Sequence, residues 1–395
     1  MIKLSSTATR ISPSMTLAIS SKAKALRAKG ANVCDLSVGE PDFVTPSFMR
    51  EAAKDALDAG KTKYAPTAGL PELRERIAEK LAHENALPYT ADQILVTTGA
   101  KQALFNVLLV LLQRGDQVLI PSPAWVTYPE IVKVTGAEPV LLKTDESTGF
   151  RISAEQLDGA ITERTRVLIL NSPTNPTGAV YPPSEIEALA EVIVRHGIVV
   201  LADEIYEKLI YDGLEHRSIG SAGKEIFDLT VTINGFSKAY AATGWRLGYA
   251  AGPLPVIRAA TSIQSHSTSG ANTFAQYGAL AALDGPKQSI EEMRAVFQQR
   301  RDLIVAGLRD IPGLTCGTPH GAFYAFPNIQ ATGLDSMSFC ERLLEEEHVA
   351  AVPGVAFGAD ANVRFSYATD ADTIREGLNR LRHFVARILD EASRA

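Results

Sequence analysis

Seven short apolar runs, at residues 94–97, 117–120, 140–142, 167–170, 198–201, 230–233 and 247–250, are spread through the middle of the chain. Most are separated by stretches with helical periodicity. The stretch 70–81 carries Pro71 near its start and Leu73, Ile77 and Leu81 at successive i, i+4 positions, the pattern of an amphipathic helix with proline in its first turn. Residues 102–112, after Gly99, and residues 183–195 read as helices too. Strands that alternate with helices are expected to form an α/β fold, a mostly parallel sheet covered on both faces. The character changes toward the end. A long helix (290–308) precedes a strand (323–326), a helix (338–346), strands at 349–352 and 363–366, and a last helix. This predicts a large domain over 48–290 and a smaller α+β domain formed by 1–47 with 291–395. There are no repeats and no low-complexity linker.

Composition excludes more than it identifies. At 395 residues the chain is long enough for two cores. A net charge of −6 gives no reason to expect nucleic-acid or membrane partners. The three cysteines, Cys34, Cys316 and Cys340, are far apart. That sparse, odd count suits a reducing cytoplasm and speaks against a disulfide framework or structural zinc. No His-Glu-x-x-His occurs, so no metal is expected. The N-terminal residues lack an apolar signal core, and the apolar run 107–112 is far too short for a bilayer span. No Gly-x-Gly-x-x-Gly follows a strand, which removes the signal of a nicotinamide dehydrogenase.

The chemistry concentrates at the ends of the apolar runs. In Asn234-Gly-Phe-Ser-Lys-Ala-Tyr-Ala-Ala-Thr-Gly-Trp-Arg-Leu-Gly-Tyr249, Lys238 follows a strand and Arg246 comes eight residues later. A lysine there is often only a surface charge. Paired with a fixed arginine, it matches the needs of one cofactor, pyridoxal 5′-phosphate (PLP), which forms a Schiff base with lysine and is gripped by its phosphate. PLP also needs a carboxylate beside its ring nitrogen. Val199-Val-Leu-Ala-Asp-Glu-Ile-Tyr206 ends a strand in Asp203, where ligands of open α/β sheets bind. By itself Asp203 also suits a helix N-cap. Val167-Leu-Ile-Leu-Asn-Ser-Pro-Thr-Asn-Pro-Thr-Gly178 brings Asn175, in a segment that alone reads as a turn.

These three motifs, in this order and spacing, resemble those of the class I and II aminotransferases, and the resemblance spans essentially the whole chain. It implies the fold-type I PLP-dependent transferase architecture and a homodimer with shared active sites. It implies that Lys238 is the Schiff-base lysine and moves the substrate α-proton, that Asp203 pairs with the pyridinium, that Tyr206 and Asn175 bond the ring oxygen, and that Arg246 binds the phosphate. Gly99, Ala100 and Lys101 match the phosphate-cradling turn, and Tyr64 the tyrosine that reaches the partner's phosphate. Trp125 matches the aromatic stacked on the cofactor ring. Arg364, in Asn362-Val-Arg-Phe-Ser-Tyr367, matches the arginine that binds the substrate α-carboxylate beside Gly39. One departure is Gly235, where the family often has a serine that bonds the phosphate; the neighbouring Ser237 need not replace it.

Lys101, Ser14 and Thr16 resemble the residues with which a bacterial subgroup of aspartate aminotransferases, subgroup Ib, holds the distal carboxylate. That implies transfer of the amino group of L-aspartate to 2-oxoglutarate, with amino acids and 2-oxo acids as partners. Ser12 stands where members that aminate prephenate often carry a basic residue, which favours aspartate over prephenate. A broad or aromatic aminotransferase or a β-lyase would use the same core residues. An effector-sensing domain of a transcriptional regulator would need a basic DNA-binding module before Leu36, and about thirty residues leave no room for one. His266 is expected in a loop lining the partner's site or simply in solvent.

Overall fold

The computed structural model describes residues 2–13 and 15–394. Its twelve strands are β1 (Cys34–Asp35), β2 (Ile94–Thr97), β3 (Gln117–Ser122), β4 (Glu138–Lys143), β5 (Thr165–Asn171), β6 (Val199–Asp203), β7 (Thr230–Gly235), β8 (Gly248–Ala251), β9 (Tyr324–Ala325), β10 (Val349–Ala350), β11 (Val352–Pro353) and β12 (Val363–Ser366). Seven of them form one sheet in the order β2-β8-β7-β6-β5-β3-β4.

The pairs β3–β4, β3–β5, β5–β6 and β6–β7 are parallel, as expected from alternating helices and strands. β8 is the exception, running antiparallel to both β2 and β7. A parallel return needs a crossover, usually through a helix. The link from β7 to β8 holds only the short 3-10 turn Thr243–Trp245, so the chain comes back antiparallel.

Side chains along the sheet alternate between two covered faces. Leu95, Ile120, Ile169, Leu201 and Ile233 pack against helices Ala100–Leu111, Thr127–Thr135 and Leu254–Ser265. Leu168, Leu170, Val200 and Ala202 point the other way, toward helix Pro183–His196. Ile94, Val96 and Tyr249 meet helices Pro71–Asn85 and Thr273–Asp284. Leu201 and Ile233 are 0% exposed, and full burial of such a side chain contributes about 1.5–3 kcal/mol. Covering both faces is why these strands read as continuous apolar runs rather than as alternating ones.

A separate apolar cluster joins Leu36 to Phe297, Leu308, Phe339, Phe365 and Phe384, with helices Gln288–Arg309, Ser336–Glu347 and Ala371–Arg394 around it. The predicted strand over 349–352 is two strands here. β10 pairs in parallel with β1, and β11 pairs antiparallel with β12. The run changes partner at Ala351 because the N-terminal segment supplies β1 from more than three hundred residues away. No local pattern announces that partner.

The fold brings the ends of β5, β6 and β7 to one edge of the large sheet. Asn171 and Asp203 end adjacent strands in register. Beside them Gly99, at φ 78°, turns the chain from β2 into helix Ala100–Leu111. That turn lies directly against β8: a Cβ on Gly248 would stand 2.3 Å from the Ala100 nitrogen and 2.6 Å from the Gly99 carbonyl carbon. Gly248→Ala should therefore force the two apart and destabilise the protein by about 1–3 kcal/mol. Chemical unfolding of the two proteins measures it, and unchanged stability would mean that the turn gives way freely.

Candidate active site

A cavity of about 490 Å³ opens at this sheet edge. Its walls come from both apolar clusters. Asn171, Asp203, Tyr206, Lys238, Arg246, Lys101 and Trp125 stand on or next to the large sheet, and Thr16, Gly39, Tyr324 and Arg364 come from the other side.

Asp203 is the last residue of β6 and is 2% exposed. It accepts hydrogen bonds from the Tyr128 hydroxyl at 2.7 Å and from the Ile205 backbone N–H at 3.2 Å. Burial pushes its carboxyl up to about 6 in spite of both bonds, and the neighbouring Glu204 charge adds to the rise. A cation at this point would reverse the cost, and the protonated ring nitrogen of PLP is such a cation.

Lys238 follows β7 and donates from Nζ to the Gly39 carbonyl at 2.6 Å. Burial lowers its ammonium to about 8; Glu40 opposes that shift, and Arg364 and Arg246 reinforce it. Arg246 has a left-handed backbone (φ 54°) and donates to the Thr243 carbonyl at 2.9 Å. Its guanidinium fills the space over Gly99, where a Cβ would lie 2.6 Å from Nη2. The start of helix Ala100–Leu111 and this arginine thus face the cavity together, an anion site of backbone N–H groups and a fork donor.

Arg364, on β12, is 3% exposed. It donates to Asn175 Oδ1 at 3.0 Å and to the Ser37 carbonyl at 2.8 Å, and its Nε has no partner. The rings of Tyr324 and Phe357 lie 4.3 and 5.0 Å from its guanidinium carbon. Among the described residues no carboxylate pairs with it, so a full positive charge is held in a dry wall, an expensive arrangement that an incoming carboxylate offsets.

Tyr206 shares a 2.9 Å hydrogen bond with the Tyr324 hydroxyl. Asn175 takes its place through Asn171, whose Oδ1 accepts from the Asn175 N–H at 2.9 Å while its Nδ2 donates to the Asp203 carbonyl at 2.9 Å. Trp125 packs edge-on against Tyr128, and the Lys101 ammonium lies 4.7 Å from the Trp125 ring centre. Burial, with Arg246 nearby, lowers Lys101 below the usual lysine range.

Of the residues singled out by sequence, Lys238, Asp203, Tyr206, Asn175, Trp125, Arg246, Arg364, Gly39, Ala100, Lys101 and Thr16 line this one cavity, and Gly99 backs Arg246. Ser14 lies outside the described residues. Tyr64 is 96% exposed and does not line the cavity of its own chain. His266 ends helix Leu254–Ser265 in solvent and does not line it either. Gly235 has a packing reason: a Cβ there would stand 2.8 Å from the Gly248 Cα, so β8 leaves no room for serine. The sequence reading missed Tyr128, Asn171 and Tyr324. Tyr128 was within reach, three residues after Trp125, where the chain turns into helix Thr127–Thr135. It also missed a buried network behind the site, where Glu207 pairs with Lys80 and Glu204 with His216, joined through Asn85 and Ser218.

Residues 31–381 match the family described as aminotransferase class I and II, and the chain belongs to that family. Its cofactor is PLP, which suits the buried Asp203 carboxylate, the lysine and the anion site described above. The chain is 48% identical over 389 residues to the aspartate aminotransferase of Bacillus subtilis (strain 168), covering 97% of this chain and 99% of that one. It is 46% identical over 397 residues to the aspartate/prephenate aminotransferase of Cereibacter sphaeroides (98% and 99% covered). The crystallised aspartate aminotransferase from Thermus thermophilus with maleate superposes with a TM-score of 0.94 at 45% identity, over 97% of this chain and 100% of that one.

Asp203 generates a pH test. Its folded value of about 6 exceeds the roughly 3.9 of an unfolded aspartate. The fold therefore favours the protonated acid: its contribution is full below about pH 4 and is lost as pH rises through about 6. Cofactor-free protein should lose up to about 3 kcal/mol over that window relative to Asp203→Asn. Unfolding curves at a series of pH values check this, and identical slopes in both proteins would refute it.

Proposed function

We propose that this chain transfers the amino group of L-aspartate to 2-oxoglutarate with PLP, giving oxaloacetate and L-glutamate. The observation that carries the reading is that two cations with no carboxylate partner among the described residues, buried Arg364 and Lys101, line the cavity that also holds Lys238 and Arg246. A substrate with two carboxylates meets both. The relatives named aspartate aminotransferase support the same conclusion.

In this reading Arg246 and the first backbone N–H groups of helix Ala100–Leu111 hold the cofactor phosphate. Asp203 keeps the proton on the ring nitrogen. Asn175 and Tyr206 donate to the ring oxygen, and Trp125 covers the ring face. Bound there, PLP supplies an electron sink for the pair released when the substrate Cα–H bond breaks. Arg364 grips the α-carboxylate next to the Gly39 backbone, and Lys101 with Thr16 receives the distal one. The Lys238 amine would take the proton from the substrate Cα and hold it for return within the same cavity. A general base works best with a pKa near the operating pH, and burial has already lowered this one to about 8.

The functional unit is a cytoplasmic homodimer in which Tyr64 reaches the partner's phosphate site. Its near-complete exposure and the three free, buried cysteines are consistent with that. The proposed division into residues 48–290 and 1–47 with 291–395 is supported by the separate apolar clusters, with Tyr206, Leu209 and Tyr211 of the larger part packing into the smaller cluster. Among the described residues no helix is long and apolar enough to cross a membrane. Prephenate is the second reading, supported by the relatives named for both substrates; Ser12, whose N–H bonds Glu130 at 2.9 Å, offers no cation for it.

Lys238→Ala should abolish transamination of aspartate while some PLP affinity remains; turnover within tenfold of wild type would sink the assignment. Titrating the visible band of the PLP-loaded protein with aspartate, phenylalanine, alanine and prephenate tests the substrate. Saturation at the lowest concentration is expected for aspartate, and equal response to all would remove Lys101 as a carboxylate reader. Capture of PLP by cofactor-free protein should speed up with pH until about 8, where the Lys238 amine is free.

A further inference from the structure

Helix Met15–Ala28 carries three basic residues, Lys22, Lys24 and Arg27. Two of them tie it to the smaller apolar cluster. Lys22 pairs with Glu345 at 2.7 Å, and Arg27 donates to the Val33 carbonyl at 3.0 Å and lies 3.5 Å from Asp35. Ala23, Ile19 and Leu26 pack there with Val33, Leu344 and Ala350. The third behaves differently. Two residues along a helix turn the direction by about 200°, so Lys24 faces away from Lys22. It lines the active-site cavity with Thr16 and Ser20, at i, i+4 and i+8 of one helix face. Its ammonium is exposed and has no hydrogen-bond or ion-pair partner among the described residues.

The charge count of the cavity sharpens the question. Five cationic side chains line it (Lys24, Lys101, Lys238, Arg246 and Arg364) against two carboxylates, Glu40 and Asp203. Four of the cations have work in the reaction: phosphate, lysine chemistry, α-carboxylate and distal carboxylate. Lys24 is left over, at the solvent end of a hydroxyl-lined helix face.

We propose that Lys24, with Ser20 beside it, is a further specificity residue that receives the distal carboxylate of dicarboxylic substrates at the cavity mouth and hands it on toward Lys101. The proposal rests on the dicarboxylate reading given above. An exposed cation adjoining a concave, net-positive wall raises the local concentration of dianions more than of monoanions, and salt screens the effect. The apolar packing of Ile19, Ala23 and Leu26 seats the helix, so Lys24 leaves the backbone from a fixed position at the cavity mouth.

The test uses PLP-loaded enzyme and four proteins: wild type, Lys24→Met, Lys24→Arg and Lys22→Met as the control on the opposite face. The first readout is the ratio of kcat/KM for aspartate to that for alanine. The second is the Kd of maleate, an unreactive dicarboxylate, at low and high salt by calorimetry. Lys24→Met should lower the ratio roughly fivefold through KM and weaken maleate by a similar factor at low salt, with the difference shrinking at high salt. Lys24→Arg should keep most of the preference and Lys22→Met all of it. A wild-type preference for dicarboxylates that survives in Lys24→Met overturns the proposal and leaves the aminotransferase reading standing. Equal losses in Lys24→Met and Lys22→Met overturn it as well, since the helix then acts only as structure. A wild type that does not distinguish aspartate from alanine overturns the dicarboxylate reading itself, and this proposal with it.

Discussion

The structure is organised around charge held out of water at one sheet edge. Asp203, Lys238 and Arg364 each sit where burial opposes their ionised form. A chain tolerates that only where the surrounding structure is rigid enough to prevent relaxation toward solvent. The rigidity comes from the seven-stranded sheet, whose two covered faces hold the strand ends in register. The Asn171 amide ties two of those ends together, and Tyr128 reaches across from the neighbouring helix to Asp203. The protein's unfavourable electrostatics and its reactivity have the same origin: a buried acid that prefers a cation beside it, a lysine pushed toward neutrality, and an arginine short of an anion.

The cavity also depends on having two apolar clusters. The cofactor-side groups stand on the large sheet, while Arg364, Tyr324, Gly39 and helix Met15–Ala28 belong with the smaller cluster. The cavity therefore lies between two bodies of packed side chains, with Arg364 on one and Asp203, Lys238 and Lys101 on the other. The glycines along the seam serve the same arrangement. Gly248 lets β8 approach the Gly99 turn, Gly99 makes room for the Arg246 guanidinium, and Gly39 lies under the Tyr324 hydroxyl, which a Cβ there would approach to 3.0 Å. Each removes a side chain where backbone must come close to a functional group.

Much of this was legible in the chain. The central strands were readable because burial on both faces makes them uniformly apolar, and Pro71 with the Leu73, Ile77 and Leu81 spacing marked its helix. The Lys238, Asp203 and Asn175 motifs were readable because each follows directly on a strand, so sequence position and place in the fold coincide. Tyr324, Asn171 and the splitting of residues 349–353 between two sheets were not. Tyr324 acquires its role from Tyr206 across more than a hundred residues, and β10 from β1 across more than three hundred. The antiparallel course of β8 follows from what the preceding link lacks, a weaker signal than a motif.

By itself the sequence determined the class of fold, the family and the identities of candidate groups that the fold gathers in one cavity, because these are local: a strand period, a turn, a residue type at the strand's end. Only the tertiary structure decided how those groups behave. The rise of Asp203, the fall of Lys238 and, among the described residues, the lack of a carboxylate beside Arg364 are effects of desolvation and of groups brought close from distant parts of the chain. Tertiary structure also decided that Lys24 faces the cavity while Lys22 faces Glu345. In the sequence they are two lysines of one polar helix. What separates them is which face of that helix the smaller apolar cluster buries.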